Sequence, residues 1–115
     1  MGASTSFAYK IALLYVSLWA AGLNPRIARV FSSPDRQQEL LDRWNRGDRA
    51  GIRVKPADPR TSKHCKTAFP FNRPAATAVD MPCSDDRRGA QIAQSLGIGA
   101  GQFFADTDPG HYFEA

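Results

Sequence analysis

Residues 76–81 read ATAVDM, an apolar run that carries a single carboxylate, Asp80. Short apolar runs rich in small and branched residues predict a buried strand, which here extends from Thr77 to Met81. A side chain at the end of a strand is held more rigidly than one in a loop. Asp80 is therefore a candidate metal ligand.

Three helices are predicted around this strand. Apolar residues recur at helical spacing between residues 6 and 22, which predicts a well-buried first helix that stops at a glycine. Ser-Pro begins the second helix, and residues 33–47 carry its single apolar stripe. Residues 84–97 predict the third helix, with two aspartates in its positive first turn. The predicted N-terminal caps are Ser4 or Ser6, Ser33 and Ser84.

The other predicted elements are short strands and one long loop. Residues 26–31 alternate between polar and apolar types, and Phe103-Phe104 and Tyr112-Phe113 are strand candidates on either side of a turn. Residues 48–74 lack a sustained period and predict a long loop that carries a histidine. The predicted fold class is α+β, with a small antiparallel sheet and about three helices in a single domain, residues 1–115.

Composition indicates a folded chain with a basic surface. Hydrophobic residues make up 43% and charged residues 23% of the 115 residues, close to the average of globular proteins. The net charge of +4 favours an anionic partner, either nucleic acid or an anionic polymer such as bacterial wall. Residues 11–21 are apolar but shorter than the roughly 20 residues that span a bilayer, and they lack a convincing signal-peptide flank. We expect no stable membrane insertion.

The chain has two histidines, His64 and His111, and both lie in polar, turn-like stretches beside carboxylates. Catalytic zinc sites take three ligands from His and Asp or Glu and leave a fourth position for water. His64, Asp80 and His111 would form such a set. Spacing alone does not select it, since scattered His and Asp residues match many arrangements, and Asp108-Pro109-Gly110 is an ordinary turn sequence.

Ser62-Lys63-His64, residues 76–81 and residues 108–114 follow one another in an order that identifies a resemblance. They are similar to the S-x-H, G-x-A-x-D and D/E-x-x-H series of the zinc D-Ala-D-Ala carboxypeptidase and L-Ala-D-Glu endopeptidase family. That family includes VanY-type carboxypeptidases and phage endolysins, and it shares its fold with the Hedgehog signalling domain. Residues 30–37, VFSSPDRQ, resemble its G-Y-R-S-x-x-x-Q pattern, so the similarity covers residues 27–114.

The resemblance implies a zinc-dependent peptidase that hydrolyses peptidoglycan stem peptides or cross-links. Its implied setting is a monomeric phage or bacterial lysin, made in the cytoplasm and acting on the wall. The metal ligands that it implies for Zn²⁺ are His64, Asp80 and His111. The implied catalytic carboxylate is Asp108. The implied substrate-binding residues are Ser62, Arg36 and Gln37.

The first departure from the family pattern is an insertion between two implied ligands. His64 and Asp80 are separated by 80 − 64 = 16 positions, more than is usual in the family. Residues 65–74 therefore resemble an inserted loop beside the metal. A disulfide or close packing between Cys65 and Cys83 would pin that loop.

Two further departures concern single positions. Asp108 stands where many members have Glu, which leaves Asp106 or Glu114 as alternative catalytic carboxylates. Ser32 stands where the family commonly has an arginine that binds substrate or organises the site. The candidates to replace that arginine are Arg29 and Arg36.

Three alternatives compete with the peptidase interpretation. The first is a zinc-stabilised binding module of the same fold with weak or no catalysis. The second is a closed structural zinc site that also uses Cys65 and Cys83, although adjacent residues such as His64 and Cys65 seldom point at one ion. The third is a basic nucleic-acid binder, which we do not expect because no recognised binding motif accompanies its arginines. Those arginines are Arg26, Arg29, Arg36, Arg43, Arg46, Arg49 and Arg53.

Overall fold

The computed structural model describes residues 3–52, 54–68 and 73–115, and these residues form an α+β fold. Arg53 and part of the predicted insertion, residues 69–72, lie outside the described residues. The helices are α1 Thr5–Ala20, α2 Pro34–Asn45 and α3 Asp86–Ser95, with short 3₁₀ helices at Lys63–Cys65 and Gly101–Phe103. The strands are β1 Thr67–Ala68, β2 Arg73–Pro74, β3 Ala78–Asp80, β4 Ile98–Ala100 and β5 His111–Glu114. The predicted fold class is confirmed.

α1 supplies much of the hydrophobic core. Its Ser4 cap accepts a hydrogen bond from the Phe7 backbone N–H, and Gly22 follows its end at a φ of +76°. The buried stripe, spaced at intervals of three and four, contains Phe7, Ile11, Leu14 and Leu18. The expectation that α1 is well buried is only half right, because its opposite face is also apolar. The exposed large residues on that face are Tyr9, Leu13, Val16 and Trp19.

Two adjacent leucines of α1 provide a matched test of this core. Leu14 is 0% exposed and Leu13 is 52% exposed. We expect Leu14→Ala to lower the free energy of unfolding by about 2–5 kcal/mol, since it leaves a cavity in the core. Leu13→Ala should change it by less than about 0.5 kcal/mol. Urea unfolding of both variants checks this pair, and equal losses would contradict the assignment of the buried face.

β5 is the central strand of a three-stranded antiparallel sheet with the order β3-β5-β4. In this register Asp80 of β3 lies directly opposite His111 of β5. Opposite residues on neighbouring antiparallel strands have Cβ atoms about 4.5–5.5 Å apart. The sheet alone therefore brings together two candidate ligands that are distant in sequence.

Two of the predicted strands around this sheet are correct and two are wrong. Thr77–Met81 and Tyr112-Phe113 overlap β3 and β5, whereas Phe103-Phe104 falls at the end of a 3₁₀ helix. β4 was not predicted. Residues 26–31 form no strand, and only Arg29 makes an isolated antiparallel bridge, to Asp80. Residues 26–29 hydrogen-bond to residues 80–82, whereas the Ser32 N–H donates to the His64 carbonyl at 2.9 Å.

The predicted bounds of α2 and α3 are close to the observed ones. The Ser33 hydroxyl accepts the Arg36 N–H, and Pro34 occupies the first turn, as predicted for α2. The cap of α3 is Asp85, not Ser84, because the Asp85 carboxylate accepts the Arg88 N–H. The Ser84 hydroxyl instead donates to the Leu23 carbonyl and ties α3 to the end of α1.

The predicted long loop, residues 48–74, contains more local structure than expected. β1 and β2 pair within it, and the 3₁₀ helix Lys63–Cys65 holds His64. Cys65 and Cys83 are both free, so a disulfide does not pin this region. Burial raises the pKa of both thiols. Among the described residues, no helix has the length and apolarity needed to cross a membrane.

Candidate metal centre

Three separate elements deliver the predicted ligands to one place. His64 lies in the 3₁₀ helix, whose N-terminus is capped by the Ser62 hydroxyl, and Asp80 ends β3. His111 begins β5 after the turn at Pro109-Gly110. Gly110 has a φ of +78°, and an added Cβ there would lie 3.2 Å from Pro82 Cα. Glycine is therefore required at this position, where the turn leads into β5.

The ligand atoms of His64, Asp80 and His111 all lie within 4.8 Å of one another. His111 Nδ1 is 3.0 Å and His64 Nε2 is 3.4 Å from Asp80 Oδ1. Ligands bound tetrahedrally about 2 Å from zinc are separated by about 3.3 Å. The three side chains, together the metal group, could therefore hold a metal ion without large rearrangement.

The buried imidazole of His64 is oriented toward this group. Its Nδ1 lies 2.7 Å from the Val30 carbonyl oxygen, which can only accept, so Nδ1 carries the proton in the neutral ring. Nε2 then presents a lone pair, and it is buried without a hydrogen-bond partner. A lone pair facing a carboxylate oxygen is unfavourable unless a cation lies between them. Metal-binding histidines are commonly oriented through their other ring nitrogen in this way.

Asp80 is held in its ionised form. Burial by itself would raise the pKa of Asp80, but hydrogen bonding to His111, the neighbouring His64 imidazole and the charge of Arg29 outweigh it. The net effect holds the pKa well below its ordinary value. Asp80 is thus a carboxylate, the form that binds a metal ion, over the whole neutral range.

The protonation of the ligands determines how metal affinity depends on pH. A carboxyl group with a lowered pKa stays ionised until the pH falls below its ordinary value near 3.8. A metal ion binds imidazole only in its deprotonated form, so protons compete with the metal for imidazole ligands. We expect zinc affinity to fall by at least about tenfold from pH 7.5 to about pH 5.5. Competition with a chromophoric chelator measures it, and a constant affinity over this window would contradict histidine ligation.

Arg29 and Gln37 form a hydrogen-bonded chain behind Asp80. Arg29 Nε donates to Asp80 Oδ2 at 2.9 Å, and Arg29 Nη1 donates to Gln37 Oε1 at 3.2 Å. The Gln37 side chain is 1% exposed, and its amide nitrogen donates to the Ala57 carbonyl at 2.8 Å. Both ends of the Gln37 amide are therefore engaged inside the protein.

Asp108 is a second carboxylate close to the metal group. Its Oδ2 lies 3.9 Å from His111 Nδ1. The backbone of Asp108 approaches Gly101 closely, and an added Cβ on Gly101 would lie 2.7 Å from the Asp108 carbonyl oxygen. The Asp108 N–H also donates to the Gly101 carbonyl at 2.9 Å. A glycine contact thus fixes the loop that carries this carboxylate.

The two alternative carboxylates are placed differently. Asp106 is exposed and lines the same cleft as Asp108. Glu114 lies on β5 three positions after His111, so strand alternation places it on the opposite face of the sheet. Among the three carboxylates considered from the sequence, Asp108 is the one paired with a ligand of the metal group.

A cleft of about 1240 Å³ adjoins the metal group. Its walls come from α2, from residues 51, 52 and 54–57, and from residues 104–111. The predicted substrate-binding residues Ser62, Arg36 and Gln37 all line it. Arg36 Nη1 pairs with Glu39 Oε1 at 2.8 Å on the solvent side, while Ser62 is buried and caps the helix of His64.

Ser32, which stands where the resemblance noted in the sequence would place an arginine, is buried, and its backbone supports His64. The Val30 carbonyl and the Ser32 N–H both bond to His64, at its ring and its carbonyl respectively. Arg29, rather than Arg36, brings a guanidinium to the metal group. Residue types alone do not indicate the role of the Val30 carbonyl, because any residue can supply a backbone acceptor.

Aromatic rings cover one side of the metal group. The His111 ring is stacked on Phe113 with a centroid distance of 6.0 Å, and Phe104 lies 6.3 Å from the same ring. His64 meets His111 edge to face at 5.4 Å. Apolar rings near a charged group lower the local dielectric and strengthen its electrostatic interactions.

A scan against protein-family models found no model that matches the chain, and a search of curated proteins found no match. The functional interpretation therefore rests on the geometry of the site together with the short motifs of the sequence. Among the described residues, the group of three side chains that could hold a metal ion contains neither cysteine.

Proposed function

We propose that this chain is a zinc-dependent peptidase that hydrolyses peptide bonds of peptidoglycan stem peptides or cross-links. One observation carries the proposal: two imidazoles and a carboxylate converge at the side of a large cleft that also contains Asp108. The motif order around these residues, which resembles the zinc D-Ala-D-Ala carboxypeptidase and L-Ala-D-Glu endopeptidase family, supports it.

The donor set favours zinc over the other common metal ions. Two imidazole nitrogens and one carboxylate oxygen make a catalytic ligand set that is frequent for zinc. Magnesium and calcium prefer sites built from oxygen ligands alone. The three ligands also leave one side of the group facing the cleft, where a substrate or water would enter.

When bound, zinc would supply a Lewis acid and lower the pKa of a water molecule. In this proposal Asp108 acts as the general base. Its carboxylate would accept a proton from the attacking water and then donate that proton to the leaving amine. His64 Nδ1 faces the Val30 carbonyl, which leaves Nε2 as the nitrogen available to the metal. Arg36, on the wall of the cleft, offers a cation to substrate carboxylates.

The substrate class follows from the charge and shape of the cleft. Arg26, Arg36, Lys55 and Lys63 line it. Stem peptides of the wall carry free carboxylates, and these complement a basic cleft. The net charge of +4 also favours association with an anionic wall.

Digestion of purified cell wall tests the proposal. The wild-type protein should release new amino groups from the wall, lose this activity with a chelator and regain it on addition of zinc. Activity that persists with the chelator would overturn the metallopeptidase assignment. Wall binding without any release of amino groups, by a protein that contains zinc, would instead indicate a binding module.

The binding module is kept as a second candidate because of Ser32. The side chain at the family's arginine position is short and buried, and its hydroxyl has no hydrogen-bond partner. A site without an arginine at that position must position substrate by other residues or not turn it over. The digestion experiment distinguishes the two candidates directly.

A further inference from the structure

The two carboxylate oxygens of Asp80 face different partners. Oδ1 lies near the imidazole nitrogens of His64 and His111, at 3.4 and 3.0 Å. Oδ2 accepts a hydrogen bond from Arg29 Nε at 2.9 Å. Arg29 therefore bonds to the carboxylate oxygen of Asp80 that does not face the two imidazoles.

We propose that Arg29, itself held by Gln37, is a positioning residue that fixes the Asp80 carboxylate so that only Oδ1 is presented to the metal ion. This inference rests on the metal site of the proposed function, and it does not depend on which bond is cut. Neither residue needs to contact the substrate for this role.

Arg29 is fixed at both its backbone and its side chain. Its carbonyl accepts the Asp80 N–H at 2.8 Å, so the backbones of the two residues are locked together. Its Nη1 donates to Gln37 Oε1, and the Gln37 amide nitrogen is anchored on the Ala57 carbonyl. A guanidinium held at two nitrogens cannot rotate without breaking this chain.

The buried position of Gln37 favours a supporting role. A glutamine that is 1% exposed, with bonds at both ends of its amide, has little freedom to follow a substrate. Burying a polar amide is unfavourable unless its hydrogen bonds are made. Gln37 thus links the metal ligand on β3 to α2 and to the cleft wall at Ala57.

Two physical effects of Arg29 on metal affinity have opposite signs. Its positive charge repels a divalent cation, so removing the charge would by itself tighten metal binding. Its hydrogen bond fixes the ligand, and loss of such supporting contacts typically weakens metal affinity by about 10–100-fold. The positioning role requires the second effect to be larger, which makes the sign of the change informative.

Zinc affinity of Arg29 variants, measured by chelator competition on the full chain, tests this role. Arg29→Met keeps the aliphatic stem and removes the charge, while Arg29→Lys keeps the charge and removes the paired N–H donors. We expect both variants to bind zinc at least about tenfold more weakly than the wild type. Arg29→Met that binds zinc equally or more tightly would overturn the proposal.

Arg43→Gln is the matched control. Arg43 Nε donates to Asp48 Oδ2 at 3.1 Å, in an ion pair of the same kind, but this pair is away from the cleft lining. Its replacement should leave zinc affinity unchanged. The visible absorption of bound Co²⁺ gives a second readout, because it reports coordination geometry, and it should change for Arg29→Met and not for Arg43→Gln.

A double-mutant cycle tests whether Gln37 acts through Arg29. We expect Gln37→Met to weaken zinc binding, and the double variant with Arg29→Met to be no weaker than Arg29→Met alone. Additive losses would contradict a chain that runs through Arg29. Far-UV circular dichroism and the melting temperature of each variant establish that it is folded.

The outcomes separate this inference from the proposed function. A folded wild-type protein that binds no zinc would overturn both the metal site and the positioning role. Tight zinc binding without wall hydrolysis would overturn the peptidase and leave the role of Arg29 intact. Wall hydrolysis together with unchanged zinc affinity in Arg29→Met would overturn the positioning role alone.

Discussion

Replacing Asp108 by Asn is expected to slow hydrolysis of wall peptides by about 10²–10⁴-fold while zinc content stays at the wild-type level. The amide keeps the size of the side chain but cannot accept a proton from water. Because Asp108 lies 3.9 Å from His111 Nδ1 and is outside the group of three ligands, its loss should not release the metal. Release of amino groups from purified wall measures the effect.

Two companion variants make this result specific. Asp42→Asn changes an exposed carboxylate of α2 outside the cleft and should keep wild-type activity. Asp106→Asn addresses the neighbouring carboxylate in the same loop. Full activity of Asp108→Asn together with an inactive Asp106→Asn would transfer the catalytic assignment to Asp106. Full activity of both would contradict a carboxylate base in this loop.

Loss of any one metal ligand is expected to weaken zinc binding by at least about 100-fold. The two most informative variants are Asp80→Asn, which keeps the shape of the ligand, and His111→Gln, which keeps a polar side chain at the start of β5. His64→Ala should have the same effect, with an added loss of stability because His64 is 3% exposed and its ring bonds to Val30. Zinc per chain, measured after dialysis, should fall from about one to near zero.

The cysteines provide the matched control for this loss. Replacement of Cys65 and Cys83 by serine together should leave zinc content unchanged, because the group of three metal-binding side chains contains neither thiol. A double cysteine variant that loses its zinc would contradict the assigned ligands and support a site that includes thiolates. The same variant also shows whether zinc in the wild type is bound adventitiously at thiols.

The helices were predictable because their signals are local. Ser33 and Pro34 begin α2 where expected, and the four buried residues of α1 follow helical spacing. The short strands were less predictable, because a three-residue strand such as β4 has too few positions to display a period. Its place is decided by pairing with β5, which is a tertiary contact.

The candidate ligands were likewise predictable from local sequence, whereas the contacts that support them were not. Residue types and motif order pointed to His64, Asp80 and His111, and the structure brings these three together. The contacts that support them join residues far apart in the chain. Arg29 and Asp80 are 51 positions apart, and Val30 and His64 are 34 positions apart. Only the folded chain reveals contacts at such separations.

Ser84 shows how a local signal can mislead when two acceptable residues are adjacent. Both Ser84 and Asp85 can cap a helix, and the sequence does not choose between them. The Ser84 hydroxyl bonds to the Leu23 carbonyl, and Asp85 accepts the Arg88 N–H in the first turn of α3. The choice is made by contact with α1, not by propensity.

Anomalous diffraction at the zinc absorption edge, from crystals of the zinc-loaded protein, tests the central claim most directly. The account predicts one strong peak about 2 Å from each of His64 Nε2, Asp80 Oδ1 and His111 Nδ1. It also predicts that the remaining coordination position faces the cleft of Asp108. A peak bound by Cys65 or Cys83, or no peak between the two histidines, would contradict it.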